Sequence, residues 1–396
     1  MHIALVVQNA EIEADIRPRA EAEALAGAGF QVSLVGGTRD EDRARDVVGN
    51  GVELNPYPMP RAGAGVAGQA REASSSLRRL AGKLVAIARS SAIDVLHASN
   101  PPDNVWLLTS VLRSVQRTAP RFVFDQHDVA PVLLEEKFGT GAAIRALTAT
   151  ARALERRSFS RASLVVFANA EYERRARAEG LLSGPAAVVP NGWSLPDAEP
   201  TAAWRQGRKH LIAYVGAINE QDYVAHLVEA IALLPSPEDV LVCVAGEGAA
   251  RRNAEERAMA LGISDAFQWL GWVQRREEIA SLVRSADVCV APEVDSPFNR
   301  LASFVKIAEY MSVGAPVVAH RLAQNERLGG DTIHYAAEMT ASALADALVD
   351  MLQDRTRAHR LGGAARERFV DQIAWESVGA PNLLQGYADT FGSERR

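Results

Sequence analysis

His2-Ile-Ala-Leu-Val-Val7, the stretch Ala14 to Gly29, and Phe30-Gln-Val-Ser-Leu-Val35 decide the fold. The first is an unbroken apolar run, as in a strand buried on both faces. The second carries helical periodicity and stops at a glycine, and the third is another buried strand, closed by Gly36-Gly37. Strand, helix and strand at that spacing form a βαβ unit, whose strands run parallel. Outward from it the alternation recurs. Helices over 71–90, 104–116 and 141–160 alternate with strands Asp94-Val-Leu-His97, Phe122-Val-Phe-Asp125 and Leu164-Val-Val-Phe167. From Val189 to Lys209 periodicity lapses among Pro190, Asn191-Gly192, Pro196 and Pro200, which reads as a linker. A second series opens at His210-Leu-Ile-Ala-Tyr-Val215. It predicts a helix at 223–234, strands at 239–245 and 267–270, a helix at 276–284, Val288-Cys-Val-Ala291, a helix at 303–312, Pro316-Val-Val-Ala319, and closing helices at 340–353 and 356–369. The expectation is an α/β protein with two parallel-sheet domains facing across a cleft, 1–190 and 210–374, joined by 191–209 and followed by 375–396.

Length and composition agree. At 396 residues the chain holds two or three domains of about 150 residues each. Hydrophobic residues at 48% and charged residues at 23% exclude a disordered or collagen-like chain. No apolar run approaches the ~18 residues of a membrane span. Met1 to Val7 lacks a basic leader and is interrupted by Gln8-Asn9, so it does not read as a signal peptide, and a cytoplasmic protein is expected. A net charge of −6 disfavours nucleic acid as a partner, although residues 1–190 carry 23 Lys/Arg against 21 Asp/Glu. Within them Arg61, Arg71, Arg78, Arg79, Lys83 and Arg89 face only Glu72 over 61–91. That pattern fits a solvated helix face, with peripheral contact to the inner face of a membrane as the alternative. Cys243 and Cys289 sit in apolar runs as small buried hydrophobes, and the histidines show no metal-ligand spacing, so no metal is expected.

The first loop, Gln8-Asn-Ala-Glu-Ile-Glu-Ala-Asp15, lacks the glycines of a dinucleotide fingerprint, and there is no P-loop. Asp40 and Asp42 resemble a metal-binding pair but lie in a polar run that reads as a solvated loop. Two segments carry more. Leu96-His-Ala-Ser-Asn-Pro-Pro-Asp-Asn104 and Phe122-Val-Phe-Asp-Gln-His-Asp-Val129 place histidines and carboxylates at strand ends, where open α/β sheets bind ligands. Ala291-Pro-Glu-Val-Asp-Ser-Pro-Phe-Asn299 leads into Ser303-Phe-Val-Lys-Ile-Ala-Glu-Tyr-Met311, a strand, a loop and a helix start. Free helix amides and Lys306 together outline a diphosphate site. Glu309, three residues on, faces the same way, with an ion pair to Lys306 as its plainer reading.

These boxes resemble the family 4 retaining glycosyltransferases of the GT-B fold, built from two Rossmann-like domains, over nearly the whole chain. The resemblance is carried by Asn100-Pro-Pro-Asp103, Phe124-Asp-Gln-His-Asp128, Val189-Pro-Asn-Gly192, Tyr214-Val-Gly216, Lys306-Ile-Ala-Glu-Tyr-Met311, and Asp15-Ile-Arg17 with Glu21-Ala22. It implies that the C-terminal domain binds a nucleoside-diphosphate sugar, with UDP or GDP as the nucleotide, and that the N-terminal domain presents the acceptor. His127, Lys306 and Glu309 would be catalytic, with His127 over the donor sugar, Lys306 on the diphosphate and Glu309 on the ribose. Gly216, Gly246, Trp272, Val273, Asn299, Arg300 and Ser303 would line the donor site, with Asn9, Arg17, His97, Asn100, Asp103 and Asp128 on the acceptor side. The segment from Trp375 resembles a helix returning to the first domain. No cofactor beyond the sugar nucleotide is implied.

The chain departs from the general pattern. Ala217-Ile-Asn-Glu-Gln-Asp222 lacks the usual Arg and Lys, Leu301 stands where a first Glu would fall, and Arg321 replaces an acidic residue. Diphosphate neutralisation would then rest on Lys306, Arg300 and backbone amides. The expected chemistry is front-side, metal-independent transfer with retention, to an acceptor that is a polysaccharide, a lipid-linked sugar or a small molecule such as an antibiotic precursor or thiol. Readings of another class are a sugar-nucleotide epimerase or hydrolase, and a non-catalytic relative that binds nucleotide only.

Overall fold

A computed structural model describes residues 1–49, 51–59, 65–139 and 141–392. The chain divides into two compact units, 1–190 with 379–396, and 191–378.

Unit 1 is built on seven parallel strands, β1 (His2–Glu11), β2 (Gln31–Thr38), β3 (Val52–Pro58), β4 (Val95–Ser99), β5 (Arg121–Gln126), β6 (Ala162–Phe167) and β7 (Ala186–Val188). Their order is β3-β2-β1-β4-β5-β6-β7, so the winding reverses between β1 and β4. Ile3 to Val7 are fully buried, because helices cover both faces of a parallel sheet. The helices are α1 (Ile16–Gly27), α2 (Glu41–Asp46), α3 (Gly65–Ser90), α4 (Leu108–Gln116), α5 (Ala130–Phe138), α6 (Ala142–Arg161) and α7 (Ala170–Ala178). A single 3₁₀ turn at Val105–Leu107 precedes α4, where an unbroken helix is expected. Asp40 is not in a loop but caps α2, its carboxylate accepting from the Arg43 amide at 3.0 Å. In α3, Leu80, Leu84, Ile87 and Ala88 are buried while Arg71, Arg78, Arg79 and Arg89 stay exposed, the amphipathic pattern of a helix packed on a sheet. Arg61 lies outside the described residues. None of the described helices is long and apolar enough to cross a membrane.

Unit 2 has six parallel strands, β8 (His210–Val215), β9 (Val240–Ala245), β10 (Phe267–Gly271), β11 (Val288–Ala291), β12 (Val317–Ala319) and β13 (His334–Tyr335), ordered β10-β9-β8-β11-β12-β13. Its helices are α8 (Val224–Ala232), α9 (Arg251–Ala260), α10 (Arg276–Ser285), α11 (Val305–Ser312), α12 (Ala323–Gly329), α13 (Ala341–Gln353) and α14 (Arg355–Gln372). Cys243 and Cys289 are both buried in the core on one face of this sheet and are unbridged.

The segment 191–209, read as a linker, packs as part of unit 2. Leu195 is buried and its amide donates to the Ser312 hydroxyl at 3.1 Å, and the Trp204 indole reaches the Ser281 hydroxyl at 3.3 Å. Trp193 packs on Trp375 with ring centroids 4.9 Å apart, and the Trp375 amide donates to the Gly192 carbonyl at 2.8 Å. Residues 375–378 therefore belong to unit 2, and only the final helix α15 (Ala380–Phe391) packs in unit 1. A Cβ on Gly192 would stand 1.8 Å from the Ile373 carbonyl oxygen, a backbone atom that cannot move aside. Gly192→Ala should lower unfolding free energy in urea by about 1–3 kcal/mol, the usual range for overpacking. An unchanged midpoint would mean this seam is not tightly packed.

Candidate active site

In unit 2 the strands end on one edge, and the residues that follow them are Gly216, Gly246, Trp272 and Pro292-Glu293. The strand order reverses between β8 and β11, the place where parallel sheets leave room for a ligand. Gly216 and Gly246 have φ of +151° and +155°, which favours glycine. A Cβ on Gly246 would lie 1.8 Å from the Gly216 carbonyl oxygen, and one on Gly216 2.8 Å from Lys306 Cε. The lysine stem thus rests on bare backbone. α11 starts after Phe304, which offers no side-chain cap, and among the described residues no side chain accepts from its first amides.

Lys306, in the first turn of α11, is buried. Its Nζ donates to the Tyr214 hydroxyl at 2.8 Å and to the Glu293 carboxylate, and lies 3.5 Å from Asp222. Burial works against the ammonium charge, but Glu293, Tyr214 and Asp222 outweigh it and hold the pKa well above the usual value. Burial pushes the Glu293 carboxyl up, opposed by Lys306. The charge of Lys306 is thus shared with two carboxylates. Glu309 does not pair with Lys306. It meets Arg276 at 3.0 Å, and burial raises its pKa. Arg300 is engaged with Asp295 at 2.7 Å on the exposed surface. Asn299 is fully buried and donates to the Gln221 and Val294 carbonyls at 2.9 Å each, which makes it a pin for the loop. Ser303 is half-buried just ahead of α11, Val273 packs partly on the core, and Trp272 is 67% exposed.

In unit 1 the corresponding edge gathers Asn100 and His127. Asp125 and His127 alternate along the end of β5, so their side chains fall on one face. His127 Nε2 meets Asp125 at 2.5 Å, and Nδ1 has no partner among the described residues. Arg17 clamps Asp125 from the other side at 2.8 Å, pairs with Glu21 at 3.0 Å, and donates to the Val189 carbonyl at 2.6 Å. Burial pushes Asp125 up, but Arg17 and His127 outweigh it and hold its carboxyl well below the usual range. Glu21, by contrast, is driven well above that range by burial and by Asp125's charge, against the pull of Arg17. His97 accepts or donates at 2.8 Å with the Tyr387 hydroxyl from α15, lies 3.4 Å from Glu21, and has its pKa lowered mainly by burial. Glu21, His97 and Asp125 bring ligand-type atoms within 4.8 Å of one another, yet the Arg17 guanidinium bridges both carboxylates and supplies the positive charge there.

Asn100 ties the two loops together. Its Oδ1 accepts from the His127 and Asp128 amides at 2.6 and 3.1 Å, and its Nδ2 donates to Asp103 at 2.8 Å and the Asp128 carbonyl at 2.7 Å. Arg17, His97 and Asn100, expected on the acceptor side, are at most 2% exposed, each held by the partners named above. Burial raises the carboxyl pKa of Asp128. Asn9 lies in β1, and its side chain is outside the described residues.

The sequence reading missed Asp125, Glu21, Glu293, Asp222, Tyr214, Arg276 and Tyr387 as partners. For two of them a signal existed. Asp125 stands two residues before His127 on a strand, and Glu21 one helical turn after Arg17. His97 and Tyr387 are 290 residues apart, and no local pattern links them.

Two parallel α/β units, each with polar groups at its carboxyl edge, define the class, and comparison with known proteins makes it specific. The model for the glycosyl transferase 4-like domain matches residues 16–192, and that for glycosyl transferases group 1 matches 209–354. The chain belongs to the family 4 glycosyltransferases of the GT-B fold. It is 29% identical over 185 residues to an alpha-maltose-1-phosphate synthase of Mycolicibacterium smegmatis, covering 44% of this chain and 46% of that protein. It is 27% identical over 205 residues to a GDP-mannose-dependent alpha-(1-6)-phosphatidylinositol dimannoside mannosyltransferase of Mycobacterium tuberculosis, covering 50% of each. The chain thus matches about half the length of these relatives. Among solved structures, sucrose-phosphate synthase of Thermosynechococcus elongatus superposes with a TM-score of 0.78 at 22% identity, over 99% of this chain and 100% of that one. HepE of Anabaena, solved with UDP-glucose, superposes with a TM-score of 0.68 at 16% identity, over 99% and 100%.

Burial pushes the Asp103 carboxyl up to about 7, from 3.8 for an ordinary Asp. A carboxyl raised on folding stabilises fully below its unfolded pKa, and that contribution drains away as pH climbs through the folded one. The melting temperature of Asp103→Asn minus that of the wild type should therefore rise between pH 4 and 7.5. A difference that stays flat over that range would show that Asp103 titrates normally.

Proposed function

We propose that the protein is a glycosyltransferase that moves a sugar from a nucleoside-diphosphate sugar, held at the carboxyl edge of unit 2, to an acceptor held by unit 1, with retention and without a metal. The observation that carries this reading is the meeting of uncapped α11 amides, the glycine tips 216 and 246, and the buried Lys306 at one switch point. Helix amides and a lysine offer fixed positive charge where a diphosphate leaving group develops negative charge. UDP or GDP is the nucleotide, and Glu309 takes a ribose hydroxyl beside Arg276.

In the reaction the bond from the anomeric carbon to the phosphate oxygen breaks and one from the acceptor oxygen forms on the same face. The acceptor proton passes to the departing phosphate, so no separate protein base is needed. His127 meets the transferred sugar through its outward nitrogen, while Asp125, Arg17 and Asn100 hold the ring in place. The ionised Asp125 favours a proton on Nε2 and stabilises positive charge near the ring as the sugar becomes oxocarbenium-like.

Removing Lys306 alone would strand the fully buried Glu293 as an unpaired charge, whereas Asp222 keeps its bond from the Asn219 amide; that costs about 3–5 kcal/mol and confounds the result. The double variant Lys306→Met/Glu293→Gln removes one charge of each sign and keeps the packing. It should cut turnover at least ~100-fold, the cost of losing one preorganised donor, with its melting temperature within a few degrees of the wild type. Turnover near that of the wild type would remove Lys306 from the mechanism.

A thermal-shift screen against UDP, GDP, ADP, CMP and dTDP and their sugars tests the donor. A ligand at about 100 times its dissociation constant adds ~2.7 kcal/mol of stability. One nucleotide should shift the melt, and ¹H NMR of the product should show the donor's anomeric configuration. Silence across the panel, or an inverted product, would overturn the reading.

A further inference from the structure

The cation proposed to meet a diphosphate belongs to a cluster whose net charge is wrong for an anion. Lys306 is its one ammonium, and Glu293 and Asp222 both stand against it, so one negative charge is in excess when both carboxyls are ionised. Tyr214 at the end of β8 and Tyr310 on α11 also face the cluster, and burial keeps both phenols neutral. The two carboxyls differ in support. Asp222, in the turn after β8, accepts from the Asn219 amide at 2.9 Å through Oδ2 and lies 3.5 Å from Lys306 through Oδ1. Glu293 is fully buried, its Oε1 takes the Lys306 ammonium, and its Oε2 has no partner. An unpaired buried acceptor is costly, so the negative charge of Glu293 is held in place mainly by Lys306.

We propose that Glu293 takes up one proton from solvent when the diphosphate of a sugar nucleotide binds at Lys306, and releases it when the nucleotide leaves. The inference rests on the transferase reading and deepens it, since it ties donor affinity to pH. An anion at Lys306 acts on Glu293 in two ways. It draws on the ammonium that holds the carboxylate ionised, and it adds a like charge beside a buried acid, and both favour the protonated form. Protonation removes the excess charge, so Lys306 meets the diphosphate without two buried carboxylates opposing it. Burial already pushes the Glu293 carboxyl up, against the pull of Lys306. Because the bound state holds the extra proton, affinity falls as pH rises, by up to ~10-fold per pH unit.

The test is isothermal titration calorimetry of the full chain with UDP-glucose, GDP-mannose and ADP-glucose. Their diphosphates are esterified at both ends and do not titrate near neutrality. At pH 7.5, heats measured in buffers of different ionisation enthalpy should report about 0.5–1 proton taken up per sugar nucleotide bound, and Kd should rise at least ~5-fold from pH 6.5 to 8. Glu293→Gln should abolish the uptake and bind with an affinity that is flat over that range and equal to the wild type's at its acid end. A purely structural role for Glu293 would weaken binding at every pH and leave the uptake in place. If the variant does not fold, the infrared difference spectrum of the wild type decides. There the sugar nucleotide should bring up the carbonyl band of a protonated carboxyl. Binding without proton uptake, uptake that survives in Glu293→Gln, or a spectrum without that band would overturn the proposal and leave the transferase reading standing. Failure of all three sugar nucleotides to bind would overturn both.

Discussion

One guanidinium organises unit 1. Arg17 enters the core from α1 and binds two carboxylates, Asp125 and Glu21, together with the Val189 carbonyl. Sequestered charge is tolerated only when its partners close around it, so α1, the tip of β5 and the end of the last crossover hold a fixed geometry. The orientation of His127 is a consequence of that closure. The ring sits on Asp125, and Asp125 can only sit where Arg17 puts it.

Unit 2 answers a similar demand with a lysine. Lys306 lies against a strand tip that tolerates no Cβ, and its charge is balanced by Glu293 and Asp222. A cation already matched to carboxylates must exchange partners to meet an anion, or share it with them. The buried Glu293, whose pKa is raised, can take a proton more readily than an ordinary carboxylate, and so can give way. The departures in the neighbouring boxes fit this economy, since Arg300 has turned outward to Asp295 and leaves Lys306 as the inward cation of that loop.

The parallel architecture was legible because apolar strand runs and helical periodicity repeat along the chain. What escaped was what periodicity does not encode. α2 hid in a charged run whose cap, Asp40, looked like a loop acid, and β13 is two residues long. The segment 191–209 looked like a linker because prolines suppress periodicity, yet it is held by isolated aromatic contacts such as Trp193 on Trp375. In the site, motif order pointed to the strand ends that carry Asn100, His127 and Glu293, but not to which side chains pair with one another. Arg17 and His97 lie far from His127 in the chain, and only contacts with Asp125 and Tyr387, which periodicity does not encode, bring them into one buried cluster.

The hydrogen bond between Tyr387 and His97 also orders events in time. The sheet of unit 1 is complete at Val188, but its support for His97 arrives only after all of unit 2 has been made. During synthesis the first unit must wait, with an apolar flank open over Leu164 and Ala187, until Gly386 brings the last helix down onto them. The two units therefore mature as nested rather than successive bodies, and the order of translation delays completion of the histidine's surroundings.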